Sequence, residues 1–313
     1  MLKKKSKIYV AGHEGMVGSA VIRLLKKKQY HNLITISKKK LDLTNQLKVN
    51  NFFKKNKIDF VILAAAKVGG IFANSSFKAD FIYQNLMIQS NVINAAYNSG
   101  VKNLIFLGSS CIYPKTLNRP IKEKDLLSNY LEKTNESYAV AKIAGIKMCE
   151  SFNEQYKLNF KCLMPCNLYG ENDNFDLKTS HFLPGIMHKI YQCKKKKIKQ
   201  LKLFGDGQPL RELMYVDDLA EAIIHFMKIK SIESLINIGS GYEKKIKFYV
   251  NKINKLIDGI NIEIKFDNNL KMNGTKRKIL DCSLAKKYGW KPKYSFEFGL
   301  QKTYEYFLKN IVT

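Results

Sequence analysis

A chain of 313 residues that is 45% apolar and 12% aromatic can bury a sizeable core, which excludes a disordered chain and suits one large α/β unit or two closely joined lobes. Its 54 Lys and Arg against 26 Asp and Glu give a formal charge of +28, but the lysines are spread along the whole chain beside abundant Asn and Ile, which argues against a dedicated nucleic-acid face and leaves only weak, nonspecific attraction to polyanions. No run approaches membrane-spanning length, and the apolar stretch Ile8 to Val10 breaks at Gly12 to Gly15 before it could form a signal peptide, so residence in the cytosol is the expectation.

Lys7 to Ala11 reads as a first strand, followed by Gly12-His13-Glu14-Gly15-Met16-Val17-Gly18 and then the helical pattern Ala20, Val21, Leu24, Leu25. Further strands are expected at Leu33 to Ile36, Phe60 to Leu63, Leu104 to Leu107 and Phe160 to Leu163, separated by helical stretches such as Gln46 to Lys55. This alternation implies a Rossmann-type, doubly wound parallel sheet covered on both faces. After Gly170 the alternation fades into Glu171-Asn172-Asp173-Asn174-Phe175. A dinucleotide domain is therefore expected over 1–172 and a smaller α/β substrate lobe over 173–313, with segments near 212–240 returning to the first domain. The run Lys194 to Lys197 reads as a solvated loop or helix end.

The Gly12, Gly15, Gly18 turn stands directly after the first strand and opens a helix, where backbone amides and the helix dipole can receive a pyrophosphate. NAD-binding folds carry an acidic residue about 20 residues further on, at the ribose 2′-hydroxyl. Here the corresponding strand end reads Ser37-Lys38-Lys39-Lys40, cations suited to a 2′-phosphate, so NADP is the expected cofactor.

Tyr138 and Lys142 are four apart in a stretch that reads as helix through Met148, so both project from one face. An ammonium beside a phenol favours the phenolate and brings tyrosine toward the range where it exchanges protons. Gly108-Ser109-Ser110-Cys111-Ile112-Tyr113-Pro114 follows a strand at the end where open α/β sheets place ligands, and Ser109 could bond the carbonyl that Tyr138 protonates. The six cysteines show no CxxC pair and no Cys/His spacing suited to zinc, so they read as reduced thiols, most of them core filler.

Together the glycine turn, the strand-end serine, Tyr138-x-x-x-Lys142 and Asn167-Leu168-Tyr169-Gly170 resemble the extended short-chain dehydrogenase/reductase superfamily. Ala64 to Ile71, Leu107 to Pro114, Asp173-Asn174-Phe175 and Arg211-Glu212 with Val216-Asp217-Asp218 are similar to the GDP-L-fucose synthase family within it. That resemblance implies a two-part reaction on GDP-4-keto-6-deoxy-D-mannose, epimerisation at C3 and C5 followed by reduction of the C4 ketone with NADPH. It implies catalytic roles for Ser109, Cys111, Tyr138, Lys142 and His181, with Cys111 and His181 as the base and acid of epimerisation. NADP contacts would come from Gly12 to Gly18, with His13, Glu14, Met16 and Val17 between the glycines, from Lys38, and from Leu107, Gly108, Ser109 and Ser110. Lys142, Pro165, Cys166, Asn167, Leu168 and His181 would complete them. The GDP-sugar would meet Lys189, Phe204, Arg211 and Asp281.

The chain departs from the family at Glu14, where arginine is frequent and where a carboxylate opposes a 2′-phosphate, at Phe204, where an indole is frequent, and at Glu171, where proline is frequent. Rival readings are another nucleotide-sugar 4-epimerase or a 4-keto reductase of the same fold, neither of which needs both Cys111 and His181. The resemblance also implies a homodimer built on helices around Phe81 to Tyr97 and Tyr138 to Phe152.

Overall fold

Four consecutive buried apolar residues form β1 (Ile8–Ala11), the burial on both faces that a strand inside a helix-covered parallel sheet requires. The computed structural model describes residues 2–115, 117–268 and 275–312. β1 is followed by α1 (Met16–Lys27), β2 (Leu33–Ile34), α2 (Gln46–Lys55), β3 (Phe60–Leu63), α3 (Ile71–Ser76), α4 (Lys78–Asn98) and β4 (Asn103–Leu107). Next come α5 (Glu136–Tyr156), β5 (Asn159–Pro165), β6 (Asn167–Tyr169), α6 (Phe182–Lys195), β7 (Gln200–Leu203), β8 (Leu210–Tyr215), α7 (Val216–Lys228) and β9 (Leu235–Ile238). The chain ends with β10 (Glu243–Lys245), α8 (Ile246–Leu256), β11 (Glu263–Phe266), β12 (Arg277–Lys278), α9 (Ser283–Lys287) and α10 (Phe296–Asn310).

The main sheet runs β2-β1-β3-β4-β5-β9 with every pair parallel, the α/β doubly wound class read from the sequence. β2 lies on one side of β1 and β3 on the other, so the winding reverses between β1 and β3. In an open α/β sheet the crevice for a ligand forms at such a reversal, beyond the carboxyl ends of the strands. α2, α4 and α5 form one helical layer and α1 packs on α7 in another.

Beyond β5 the chain builds a smaller sheet around β8. β10 is antiparallel to β8, β12 runs parallel on its other side, and β6 pairs with its distal half. β7 and β11 form a separate parallel pair. β8 thus belongs to the smaller sheet, whereas α7 and β9 after it belong to the larger one. A lysine inside β5 is explained by this return: Lys161, 2% exposed, donates to the carbonyls of Phe226 at 2.9 Å and Ile229 at 2.5 Å, closing the C-terminal turn of α7. Burial brings its pKa down to about 8.

Candidate active site

At the end of β1 the chain turns through Gly12 with φ +84°, a left-handed conformation that favours glycine. A Cβ on Gly12 would fall 2.6 Å from the Ala65 amide nitrogen, and one on Gly18 would fall 2.1 Å from the Gly12 carbonyl oxygen. Only glycine at both positions lets α1 start this close to the end of β3. Gly15 caps α1 without a side-chain bond, and the first turn carries no acidic residue, so its free amides and the positive end of its dipole serve an anion. The cradle fits the pyrophosphate of a dinucleotide. Met16 and Val17 are half-buried at the helix start, His13 is half-buried in the turn, and Glu14 is exposed. Lys38, Lys39 and Lys40 are exposed beyond β2. The nearby Asp42 carboxylate accepts from the Thr44 amide and hydroxyl, which hold its pKa below the ordinary range with help from Lys38 and Lys48.

Beyond β4 lies the Gly108 to Tyr113 segment, whose Gly108 leaves no space for a Cβ against Met164. The Ser109 hydroxyl accepts from the Cys111 amide at 3.2 Å and opens the short turn Ser110–Ile112. Two residues on, Tyr113 donates to the Asn237 side chain at 2.6 Å. Asn237 in turn donates to the carbonyls of Ile121 and Asp281 at 2.9 and 3.3 Å, so the loop carrying Ser109 and Cys111 is moored to β9 and to the start of α9.

α5 brings Tyr138 and Lys142 to this edge from one helical face. Lys142, 3% exposed, donates to the Leu107 carbonyl at 2.8 Å and lies 4.7 Å over the Phe106 ring and 5.9 Å from the Tyr138 ring centroid. The expected pairing of this ammonium with a phenolate is replaced by a bond to the backbone. Burial brings the Lys142 pKa down to about 7. Burial pushes the Tyr138 phenol well above its ordinary value, a charge on Cys111 would push it further, and the Ser109 hydrogen bond draws it back. Tyr138 is thus held as a proton donor.

Burial alone would push the Cys111 thiol up. The Lys278 ammonium and the Ser109 hydroxyl, with a smaller contribution from Arg211, outweigh it and hold the thiol below its ordinary value. Lys278 donates to the Cys111 sulfur at 3.4 Å. The other five thiols are buried, and burial raises Cys162, Cys166, Cys193 and Cys282, as inert core cysteines require.

Pro165 and the Cys166 amide are hydrogen-bonded into the main sheet beside Ile238, while Asn167 is exposed and Leu168 half-buried where β6 begins. His181 stands at the N-cap of α6, and burial of its ring by the surrounding protein pushes its pKa down. Arg211 donates to the carbonyls of Leu210 and Thr275 at 2.8 and 2.6 Å. Among the described residues no hydrogen bond ties Lys189, on α6, or Phe204, 69% exposed after β7, to the Ser109, Cys111 and Tyr138 cluster. The Asp281 carboxylate bonds the Ser283 amide at 2.9 Å and its hydroxyl, and lies 4.0 Å from Lys122. Sequence reasoning missed Lys278 and the Tyr113–Asn237 mooring, because both depend on strands far apart in the chain.

A family model described as the NAD dependent epimerase/dehydratase family matches residues 8–239. The chain is 47% identical over 312 residues to a protein of Arabidopsis thaliana named Putative GDP-L-fucose synthase 2, covering 100% of this chain and 94% of that one. It is 43% identical to the GDP-L-fucose synthase of Escherichia coli (strain K12), covering 98% of each. A crystal structure of a GDP-L-fucose synthetase from Naegleria fowleri bound to NADP superposes with a TM-score of 0.89 at 27% identity, covering 100% of this chain and 97% of that one. With its glycine cradle, its Tyr138–Lys142 pair and this match across most of its length, the chain belongs to the NAD dependent epimerase/dehydratase family.

Proposed function

We propose that this chain converts GDP-4-keto-6-deoxy-D-mannose to GDP-L-fucose, inverting C3 and C5 and then reducing C4 with NADPH. The observation that carries this reading is that two kinds of proton chemistry meet at one sheet edge. Ser109 and Tyr138 suit a ketone oxygen, and Cys111, two residues from Ser109, is a thiol drawn toward thiolate by cations. A simple reductase has no use for the second. The names of the relatives in Arabidopsis and Escherichia coli support the same product.

In this reading Ser109 donates to the C4 carbonyl oxygen and fixes the sugar. The ketone acidifies the hydrogens on its neighbouring carbons, and the Cys111 thiolate removes one to leave an enolate. His181, whose surroundings favour the neutral ring and so make its protonated form a ready donor, returns a proton to the opposite face. Once Cys111 has released its proton to solvent and His181 has taken one up, the same steps at the second carbon complete the inversion. When bound, NADPH supplies the hydride that reaches C4, and Tyr138 then protonates the oxygen that forms there. Lys142, bonded to Leu107 beneath the phenol, keeps positive charge near that oxygen. Arg211 and Lys189 offer cations to the diphosphate, with Phe204 and Asp281 toward the nucleoside.

We also propose that residues 1–172 with the returning α7 and β9 hold the cofactor while the smaller sheet holds the sugar nucleotide. Two copies pair through α4 and α5, whose exposed Tyr83, Val140 and Tyr156 supply apolar surface. No helix among the described residues is long and apolar enough to cross a membrane. The six unpaired thiols support residence in the reducing cytosol.

The deciding experiment supplies GDP-4-keto-6-deoxymannose and NADPH in deuterated water and identifies the product by NMR. GDP-L-fucose carrying deuterium at C3 and C5 is expected. A reduced product with its original hydrogens at both carbons would make the chain a C4 reductase only.

A further inference from the structure

Lys278 lies 167 residues from Cys111 in sequence, yet its ammonium is the donor on the thiol sulfur, at 3.4 Å. Its position is built with care. In β12, Lys278 pairs in parallel register with Arg211 of β8, so both side chains leave the same face of the smaller sheet. On one side of Lys278, Arg277 forks onto the Glu243 carboxylate at 2.8 and 3.0 Å and reaches the Asn118 carbonyl at 3.1 Å. On the other side, Leu280 donates to the buried Glu212 carboxylate at 2.9 Å, and the Glu212 side chain also accepts from the Gly241 amide at 2.7 Å. Ile279 and Asp281 exchange backbone bonds with Ile121 at 2.9 and 2.8 Å. A flexible side chain on a strand anchored at both ends is pre-organised, so little ordering cost remains when it meets a charge.

We propose that Lys278 is a positioning residue for epimerisation, whose ammonium, carried to the active-site edge by β12, keeps the Cys111 sulfur ionised and so sets the pH at which proton removal from the sugar begins. The inference rests on Cys111 being the base of the proposed reaction. A thiol with an ordinary pKa of about 8.5 is a minority thiolate at neutral pH, and a fixed ammonium in a poorly hydrated cleft changes that balance. The groups facing the sulfur divide by sign. Lys278 from β12 and Arg211 from β8 favour the thiolate, the Ser109 hydroxyl solvates it, and the neutral Tyr138 phenol on α5 adds no charge until it ionises. Lys142 is withdrawn to the Leu107 carbonyl. The thiol thus has a lysine of its own, Lys278, and does not share Lys142.

The test titrates the thiol of the full chain without sugar. Iodoacetamide alkylation of the Cys111 peptide is followed by mass spectrometry from pH 5 to 10, with Cys111→Ser as the blank. The wild-type midpoint is expected below that of a free thiol. Lys278→Met, close in length and without charge, should raise the midpoint by about one unit or more, cutting the alkylation rate near pH 7 about tenfold, whereas Lys278→Arg should restore most of it. In turnover, the acid limb of deuterium uptake at C3 and C5 should move up with Lys278→Met, with kcat for exchange falling more than KM rises. An unchanged midpoint in a folded Lys278→Met protein, with only KM for the GDP-sugar raised, would overturn the proposal and make Lys278 a contact for the diphosphate. Should Lys278→Met not fold, a wild-type midpoint at or above that of a free thiol overturns it equally. Because no sugar is present, the titration reads the Lys278–Cys111 pair alone, and its failure would leave the assignment of the reaction standing.

Discussion

The Lys142 ammonium is fastened to the Leu107 carbonyl at 2.8 Å, which ties α5 to the end of β4 by a buried charge. A buried ammonium whose pKa is brought down to about 7 is unfavourable for the fold while it stays protonated. Between about pH 7 and the ordinary lysine range, the unfolded chain binds a proton that the folded chain does not, so stability rises with pH across that window. The full effect reaches on the order of 5 kcal/mol. Lys142→Met should lose reductase activity and remove most of this rise in urea denaturation of the cofactor-free protein from pH 7 to 10. A smaller rise should remain from Lys161, whose pKa is about 8. Parallel curves for variant and wild type would show that Lys142 carries no such penalty.

Tyr138→Phe removes the phenol proposed as proton donor to the C4 oxygen while leaving the Cys111 cluster in place. Reduction should fall by ~10²–10⁴, the usual contribution of a general acid. Deuterium uptake at C3 and C5 should survive in part. Stopped-flow oxidation of NADPH at the wild-type rate in this variant would remove Tyr138 from the reaction.

Cys111→Ser should change folding little, since the side chains are close in size, yet a hydroxyl is far less ionised than a thiol. The variant should lose deuterium incorporation at C3 and C5, and any residual reduction should yield the unepimerised GDP-6-deoxyhexose. Wild-type uptake in the folded variant would assign the base elsewhere.

NADPH should be preferred to NADH despite the exposed Glu14, because Lys38, Lys39 and Lys40 stand together beyond β2. Exposed charges contribute up to ~1 kcal/mol each, so Lys38→Glu with Lys40→Glu should lower the NADPH/NADH ratio of kcat/KM by about tenfold or more. An unchanged ratio would leave these lysines as solvent charge.

Gly15 and Gly18 should respond differently to alanine. A Cβ at Gly15 meets nothing nearer than the Gly12 carbonyl at 3.5 Å, whereas at Gly18 it would lie 2.1 Å from that oxygen and 2.7 Å from the His13 Cα. Gly18→Ala should cost ~1–3 kcal/mol, as overpacking does, and abolish NADPH binding in a fluorescence titration. Gly15→Ala should stay within ~0.5 kcal/mol of wild type. Equal stabilities would mean that the loop relaxes without loss.

The readable parts of the sequence were those set by local pattern. Phe60–Leu63 and Gln46–Lys55 fall where apolar runs and helical spacing put them. Tyr138 and Lys142 share a helical face because four residues make about one turn. β10 and β12 were not legible, since Glu243–Lys245 and Arg277–Lys278 are short, charged segments with no apolar alternation, held by pairing to β8. The same limit hid Lys278. Among so many lysines nothing local distinguishes one that meets a sulfur, and only the register of β12 on β8 does so. The partner of Lys142 was misread for a related reason, because a helical spacing fixes direction and leaves open whether a phenol or a carbonyl receives the charge.

The chain leaves the six-stranded sheet after Pro165, returns to its side through α7 from Val216, re-enters it at β9 (Leu235–Ile238) and departs again after Ile238. The two halves are therefore braced by covalent struts at separate points, and no one peptide can act as an axle between them. Any opening or closing of the cleft has to bend the chain at each of these crossings together. A protease cut at one crossing would leave the halves joined at the others, and neither half could be lifted out as a free-standing module. The thiol that follows β4 and the ammonium on β12 are thus carried by stretches of chain joined at every one of these crossings.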